Sequence, residues 1–96
     1  MSNSEIIEKL AAAIAEEIYI DIAKWHLYLN DAHLHIPLAE KFFALDHIDK
    51  VEMLKVLANT KIEIGGGKSE VSLSDLIPNP VQSKLLEILE NFFDKL

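Results

Sequence analysis

Every third or fourth residue from Ile7 to Ile36 is apolar. The positions are Ile7, Ala11, Ile14, Ile18, Ile22, Trp25, Leu29, Ala32 and Ile36, which is the spacing of one face of an α-helix. Ser4 stands ahead of the stripe as an N-cap, and Pro37 restricts Ile36 and marks the end. A second set, Ile6, Ala13, Ile20, Leu27 and Leu34, recurs every seven residues almost opposite the first. A helix that is apolar on two sides is buried on two sides. The pattern predicts a long N-terminal helix from Ser4 to Ile36 whose second face needs a cover. The C-terminal helix of the same chain is one cover. A second copy, docked on Ile6, Ile20, Leu27 and Leu34, is the other.

Length sharpens the expectation. Such a helix would be about 50 Å long at 1.5 Å per residue, whereas a globule of this size has a radius of gyration of about 13 Å. The helix either breaks near Asn30-Asp31 or packs its overhang on a partner.

Beyond Pro37 the elements are shorter. Leu38, Phe42 and Leu45 make the apolar face of a second helix, with Pro37 in its first turn. Asp49 and Glu52 form a capping-box pattern that opens a third helix, with Val51, Leu54 and Leu57 or Ala58 facing inward. The period then drops to two. Ile62 and Ile64 alternate with Lys61 and Glu63, and Val71 and Leu73 with Glu70 and Ser72, with Gly65, Gly66 and Gly67 between them. That is a β-hairpin with one apolar face, which must lie on helices because two strands alone are marginal in water. Asn79 and Pro80 open a last helix with a stripe at Val81, Leu85, Ile88 or Leu89, Phe92 and Leu96. The expected fold is α+β, a single domain over residues 1–96. A long N-terminal helix and two or three further helices pack with one β-hairpin.

Charge narrows the partners. Nine Lys, no Arg and sixteen Asp plus Glu leave a net charge of −7. That balance opposes nucleic acid, whose binding rests on neutralising phosphates, and disfavours an anionic membrane surface. Without Arg the chain lacks the usual bidentate clamp for phosphates and carboxylates. With no Cys, disulfides, thiolate metal sites and Cys nucleophiles are excluded together. The N-terminal residues have no basic run ahead of an apolar one, so no signal peptide is expected. No apolar run reaches the roughly 18 residues that span a bilayer. The expected setting is cytoplasmic.

The residues that draw attention as a site are the rings. Three of the four histidines, the lone Trp and a Tyr fall between Lys24 and Pro37. On a helix, His26 and His33 are about 10 Å apart along the axis, too far for one metal with bonds of about 2.0–2.1 Å. His33 and His35 do not face each other. A ring-rich helix flank making ordinary hydrogen bonds accounts for them. The competing reading is a haem, pigment or metal site on His26, His33 and His35 with Tyr19, Trp25 and Tyr28. "GGGKS" at residues 65–69 is not a phosphate loop, because Ile62 stands where the first Gly is required and a strand pattern follows. Glu16-Glu17 and Asp46 with Asp49 read as solvated acidic faces. Ser69, Ser72 and Ser74 lack a nucleophile elbow. No catalytic residue and no resident cofactor is assigned.

The runs "IYIDIAKWHLYLNDAHLH", "GGGK" and "SLSDLIP" together resemble a small family of uncharacterised cyanobacterial proteins, classed only as a domain of unknown function. The resemblance covers most of the chain. It implies a cytosolic setting in a photosynthetic bacterium and supplies no activity and no catalytic residues. The functional expectation is a non-enzymatic, acidic protein that acts by protein–protein contact, as a homodimer or with another protein. The alternative is the ligand-binding module on the histidine flank.

Overall fold

The structure, a computed structural model, describes residues 3–22, 25–64 and 69–95. The fold is α+β. Among the described residues five helices and two antiparallel hairpins follow one another: α1 (Asn3–Ala15), β1 (Tyr19–Ile22), β2 (Trp25–Tyr28), α2 (His35–Phe43), α3 (Lys50–Asn59), β3 (Lys61–Ile64), β4 (Ser69–Ser72), α4 (Leu73–Leu76) and α5 (Asn79–Asp94).

The single helix expected from Ser4 to Ile36 does not exist. α1 ends at Ala15, and β1 and β2 pair as an antiparallel hairpin with Ile20 opposite Leu27 and Tyr19 opposite Tyr28. The domain's longest dimension is 40 Å, too short for a 33-residue helix of about 50 Å. The chain changes element where its side chains change type. An Ala-rich run, favourable in a helix, gives way after Glu17 to Ile18, Tyr19, Ile20 and Ile22, which suit a pleated surface. Backbone bonds extend the pairing inward, from Leu29 N–H to the Ile18 carbonyl at 3.0 Å and from Asn30 N–H to the Ala15 carbonyl at 3.1 Å.

A tight turn joins this hairpin to α2. Leu34 N–H donates to the Leu29 carbonyl and His33 N–H to the Asn30 carbonyl, the pair of bonds that closes a Schellman motif. The motif needs a left-handed residue, and His33 supplies it at φ 58°. Glycine holds that conformation without steric cost, whereas a residue with a Cβ is disfavoured there by about 1–2 kcal/mol. α2 then starts at His35, two residues ahead of expectation, and Pro37 sits in its first turn, where no N–H is needed.

Asp49 caps α3 as the capping-box pattern predicts, its Oδ1 accepting the Glu52 N–H at 2.8 Å. Asp49→Ala is expected to lower stability by about 1 kcal/mol, read as a shift of the urea midpoint with an unchanged slope. Thr60 closes α3. Its buried hydroxyl donates to the Val56 carbonyl at 2.7 Å and accepts from Lys41 Nζ at 2.9 Å. The second hairpin forms as expected, with Ile62 opposite Val71; the expected glycine turn, residues 65–67, lies outside the described residues. Leu73 leaves the strand pattern to start α4. Gln82 on α5 donates from Nε2 to the Ser74 and Ile77 carbonyls at 3.0 and 2.9 Å, tying α5 to the chain just before it. Asn79, expected as a cap, is instead the first residue of α5, with Pro78 ahead of it.

One core serves all of this. Leu10 and Ile14 of α1, Leu38 and Phe42 of α2, Met53 and Leu57 of α3, Leu73 of α4 and Leu85 and Leu89 of α5 are fully buried together with Ile18, Ile20 and Leu29.

Candidate functional site

β1 and β2 turn their two faces to different environments. Side chains alternate across a strand, so Ile20 and Leu27 share one face and Tyr19, Asp21, His26 and Tyr28 share the other. Ile20 is fully buried, and Leu27 packs against the core. On the opposite face Asp21, His26 and Tyr28 are exposed and Tyr19 is half-buried at the core's margin.

The exposed face is ordered by its own contacts. Tyr19 and His26 stack with ring centroids 3.6 Å apart and planes 33° apart. Tyr28 stands edge-on to both, 5.6 Å from each at 66° and 68°. Aromatic pairs prefer offset and edge-to-face arrangements of this kind. His26 Nδ1 lies 3.1 Å from Asp21 Oδ1, each side chain about half exposed at 51%. A carboxylate only accepts, so Nδ1 carries the hydrogen in this contact. Cross-strand pairing at Asp21–His26 and Tyr19–Tyr28 thus builds one patch of two phenols, an imidazole and a carboxylate.

The three histidines proposed as ligands are not brought together. His26 belongs to the hairpin face. His33 is exposed in the left-handed turn. His35 opens α2 and lines a cleft of about 280 Å³ against α1, beside Ala11, Ala12, Ala15, Glu8 and Glu16. Its Nδ1 is buried and meets no hydrogen-bond partner among the described residues. Of the two tyrosines placed with them, both lie on the hairpin face; the Trp25 side chain lies outside the described residues. Among the described residues no group of three or more His, Asp or Glu is arranged to hold a metal ion.

The four residues assigned to an interface have lost the helix that aligned them. Ile20 is in the domain's own core, Leu27 and Leu34 pack against it, and Ile6 is half-buried on α1. The fold covers most of that stripe from within. Asp21 was the residue that sequence spacing missed. The alternation Tyr19-x-Asp21 and His26-x-Tyr28 was the available signal, but only the strand register puts carboxylate beside imidazole.

Two further clefts, of about 490 Å³ between α3 and α5 and about 400 Å³ near His47 and Glu90, do not include the hairpin face. None of Tyr19, Asp21, His26 or Tyr28 lines any of the three. Asp21, His26 and Tyr28 leave the patch exposed on the surface of the domain.

The chain matches the family described as "Protein of unknown function (DUF3181)" over residues 7–92. It is 42% identical over 97 residues to "Thylakoid-associated protein slr0729" of Synechocystis sp. (strain ATCC 27184 / PCC 6803 / Kazusa), in an alignment covering 98% of this chain and 96% of that relative. Both agree with the cyanobacterial resemblance carried by the hairpin and "SLSDLIP" residues. No solved structure matches the chain.

Proposed function

We propose, for a chain that belongs to the DUF3181 family of proteins of unknown function, a non-enzymatic docking role: an acidic cytoplasmic protein that binds another protein through the outer face of β1–β2. The observation that carries this reading is the Tyr19–His26–Tyr28 cluster, whose rings pack on one another while Tyr28 stays 38% exposed. Rings fixed on a strand supply a large contact area with little rotamer entropy left to lose, which is why Tyr recurs at interface hot spots.

The relative's description as thylakoid-associated supports a membrane surface as the place of docking. No described helix is long and apolar enough to cross a membrane, and a net charge of −7 is repelled by anionic lipid headgroups. A protein receptor on that surface therefore suits this chain better than lipid does. A second copy of the chain is the other candidate partner, and light scattering over a concentration range reads it directly.

Cosedimentation tests the reading. Purified protein is mixed with isolated cyanobacterial thylakoid membranes, with the same membranes after protease treatment, and with protein-free vesicles of the same lipids. Retention is expected on untreated membranes alone, and Tyr28→Ala is expected to weaken it about tenfold or more, the range of an interface hot spot. Equal retention on protein-free vesicles, or a Tyr28→Ala variant that stays folded and binds like the wild type, overturns it.

A further inference from the structure

We infer that the hairpin face receives an arginine side chain of the partner protein, its guanidinium set against the Tyr28 ring and paired with the Asp21 carboxylate. This rests on the docking role proposed above and names the chemistry of that contact.

Three observations lead there. Asp21 and Tyr28 are diagonal neighbours on one face of β1–β2, because Asp21 is paired with His26 and Tyr19 with Tyr28. Diagonal positions lie about 7–8 Å apart, and because Tyr19 and His26 stack on the crossing diagonal, a long side chain that reaches from Tyr28 to Asp21 lies over that pair. Next, the described side chains of this face contain one carboxylate and two phenol rings beside the His26 imidazole, on a chain whose net charge is −7. Ring faces carry partial negative charge and attract cations, so carboxylate and rings favour the same kind of visitor. Finally, His26 already shows the geometry in miniature. A nitrogen-bearing planar ring stacks on Tyr19 at 3.6 Å while its N–H donates to Asp21 at 3.1 Å.

Arginine fits better than lysine. Its guanidinium is planar, stacks on aromatic rings and donates two parallel hydrogen bonds to a carboxylate, whereas an ammonium is a strongly hydrated point charge. The chain contains no Arg. The visitor is therefore a different protein rather than a second copy.

The test uses the full chain and three blocked tripeptides, acetyl-Gly-X-Gly-amide with X as arginine, lysine or citrulline. Citrulline keeps arginine's shape and lacks its charge. In two-dimensional ¹H–¹⁵N spectra the arginine peptide is expected to move the amides of residues 19–21 and 26–28 saturably. Citrulline is expected to bind at least about tenfold more weakly, and Asp21→Asn to weaken the arginine peptide about tenfold. Shifts scattered over the acidic surface, or equal effects of arginine and citrulline, overturn the inference. Membrane cosedimentation of the two variants separates its failure from that of the docking role. Release by Tyr28→Ala with full retention of Asp21→Asn keeps docking and overturns arginine. Retention of both variants overturns docking and arginine together. Release of both, with arginine-specific shifts, upholds the pair.

Discussion

Phe42→Ala is expected to lower the unfolding free energy by about 3–5 kcal/mol, the range for deleting a buried aromatic ring. Phe42 is fully buried on the inward face of α2, in the core it shares with α1, α3 and α5. Domains of this size are stable by only about 5–15 kcal/mol, and a short chain buries a smaller share of its surface than a long one. The loss therefore takes about a fifth or more of the total, and the melting temperature falls by about 20 °C. Its neighbour Phe43 is half-buried, so Phe43→Ala should cost about 1 kcal/mol, as an ordinary partly exposed substitution does. Urea and thermal unfolding of the two variants side by side read the difference. Equal losses would mean that the inward face of α2 has been assigned to the wrong residues.

The misread N-terminal half has a definite physical source. A spacing of four residues is compatible with a period of 3.6 and with a period of 2. Ile18 and Ile22, or Trp25 and Leu29, therefore satisfy a helix face and a strand face equally. What distinguishes the two is the residue between. Ile20 lies between Ile18 and Ile22, and Leu27 between Trp25 and Leu29. Read as helix, Ile20 and Leu27 become a second apolar stripe that asks for a partner. Read as strand, they complete the same alternation. The structure takes the second option, and Ile18, Ile20 and Leu29 all lie in one core with Leu27 packed against it. Beyond α1 the two-faced helix is an alternating hairpin.

Where one period stood alone, local chemistry sufficed. The Asp49 cap, the second hairpin and the buried stripe Val81, Leu85 and Leu89 all follow from spacing and residue type. The exposed patch was legible only in part. Its rings drew attention, but a helix would have grouped Tyr19 with His26 and His33. The hairpin groups it with His26, Tyr28 and Asp21. Membership in such a patch depends on cross-strand register, which residue spacing along a single segment does not carry.

The adjacent residues Ile20 and Asp21 give the sharpest discrimination between the two readings. Ile20→Asp is expected to abolish folding at 25 °C. It removes a fully buried aliphatic side chain, worth about 2–5 kcal/mol, and leaves in its place a carboxylate without a charged partner, which costs several kcal/mol more unless it takes up a proton. The sum reaches the whole stability of a domain this small. Asp21→Ile, one residue on, faces solvent and should stay within about 1 kcal/mol of the wild type, with some return from the β-branched side chain in a strand. Circular dichroism and sizing chromatography decide the matter. On a long helix whose outward stripe docks a second copy, Ile20 would belong to that stripe, and Ile20→Asp would yield a folded monomer. A folded Ile20→Asp monomer would therefore remove the hairpin, and with it the face on which Tyr28 and Asp21 meet. An unfolded one, beside a folded Asp21→Ile, leaves the strand alternation as the reading that accounts for both.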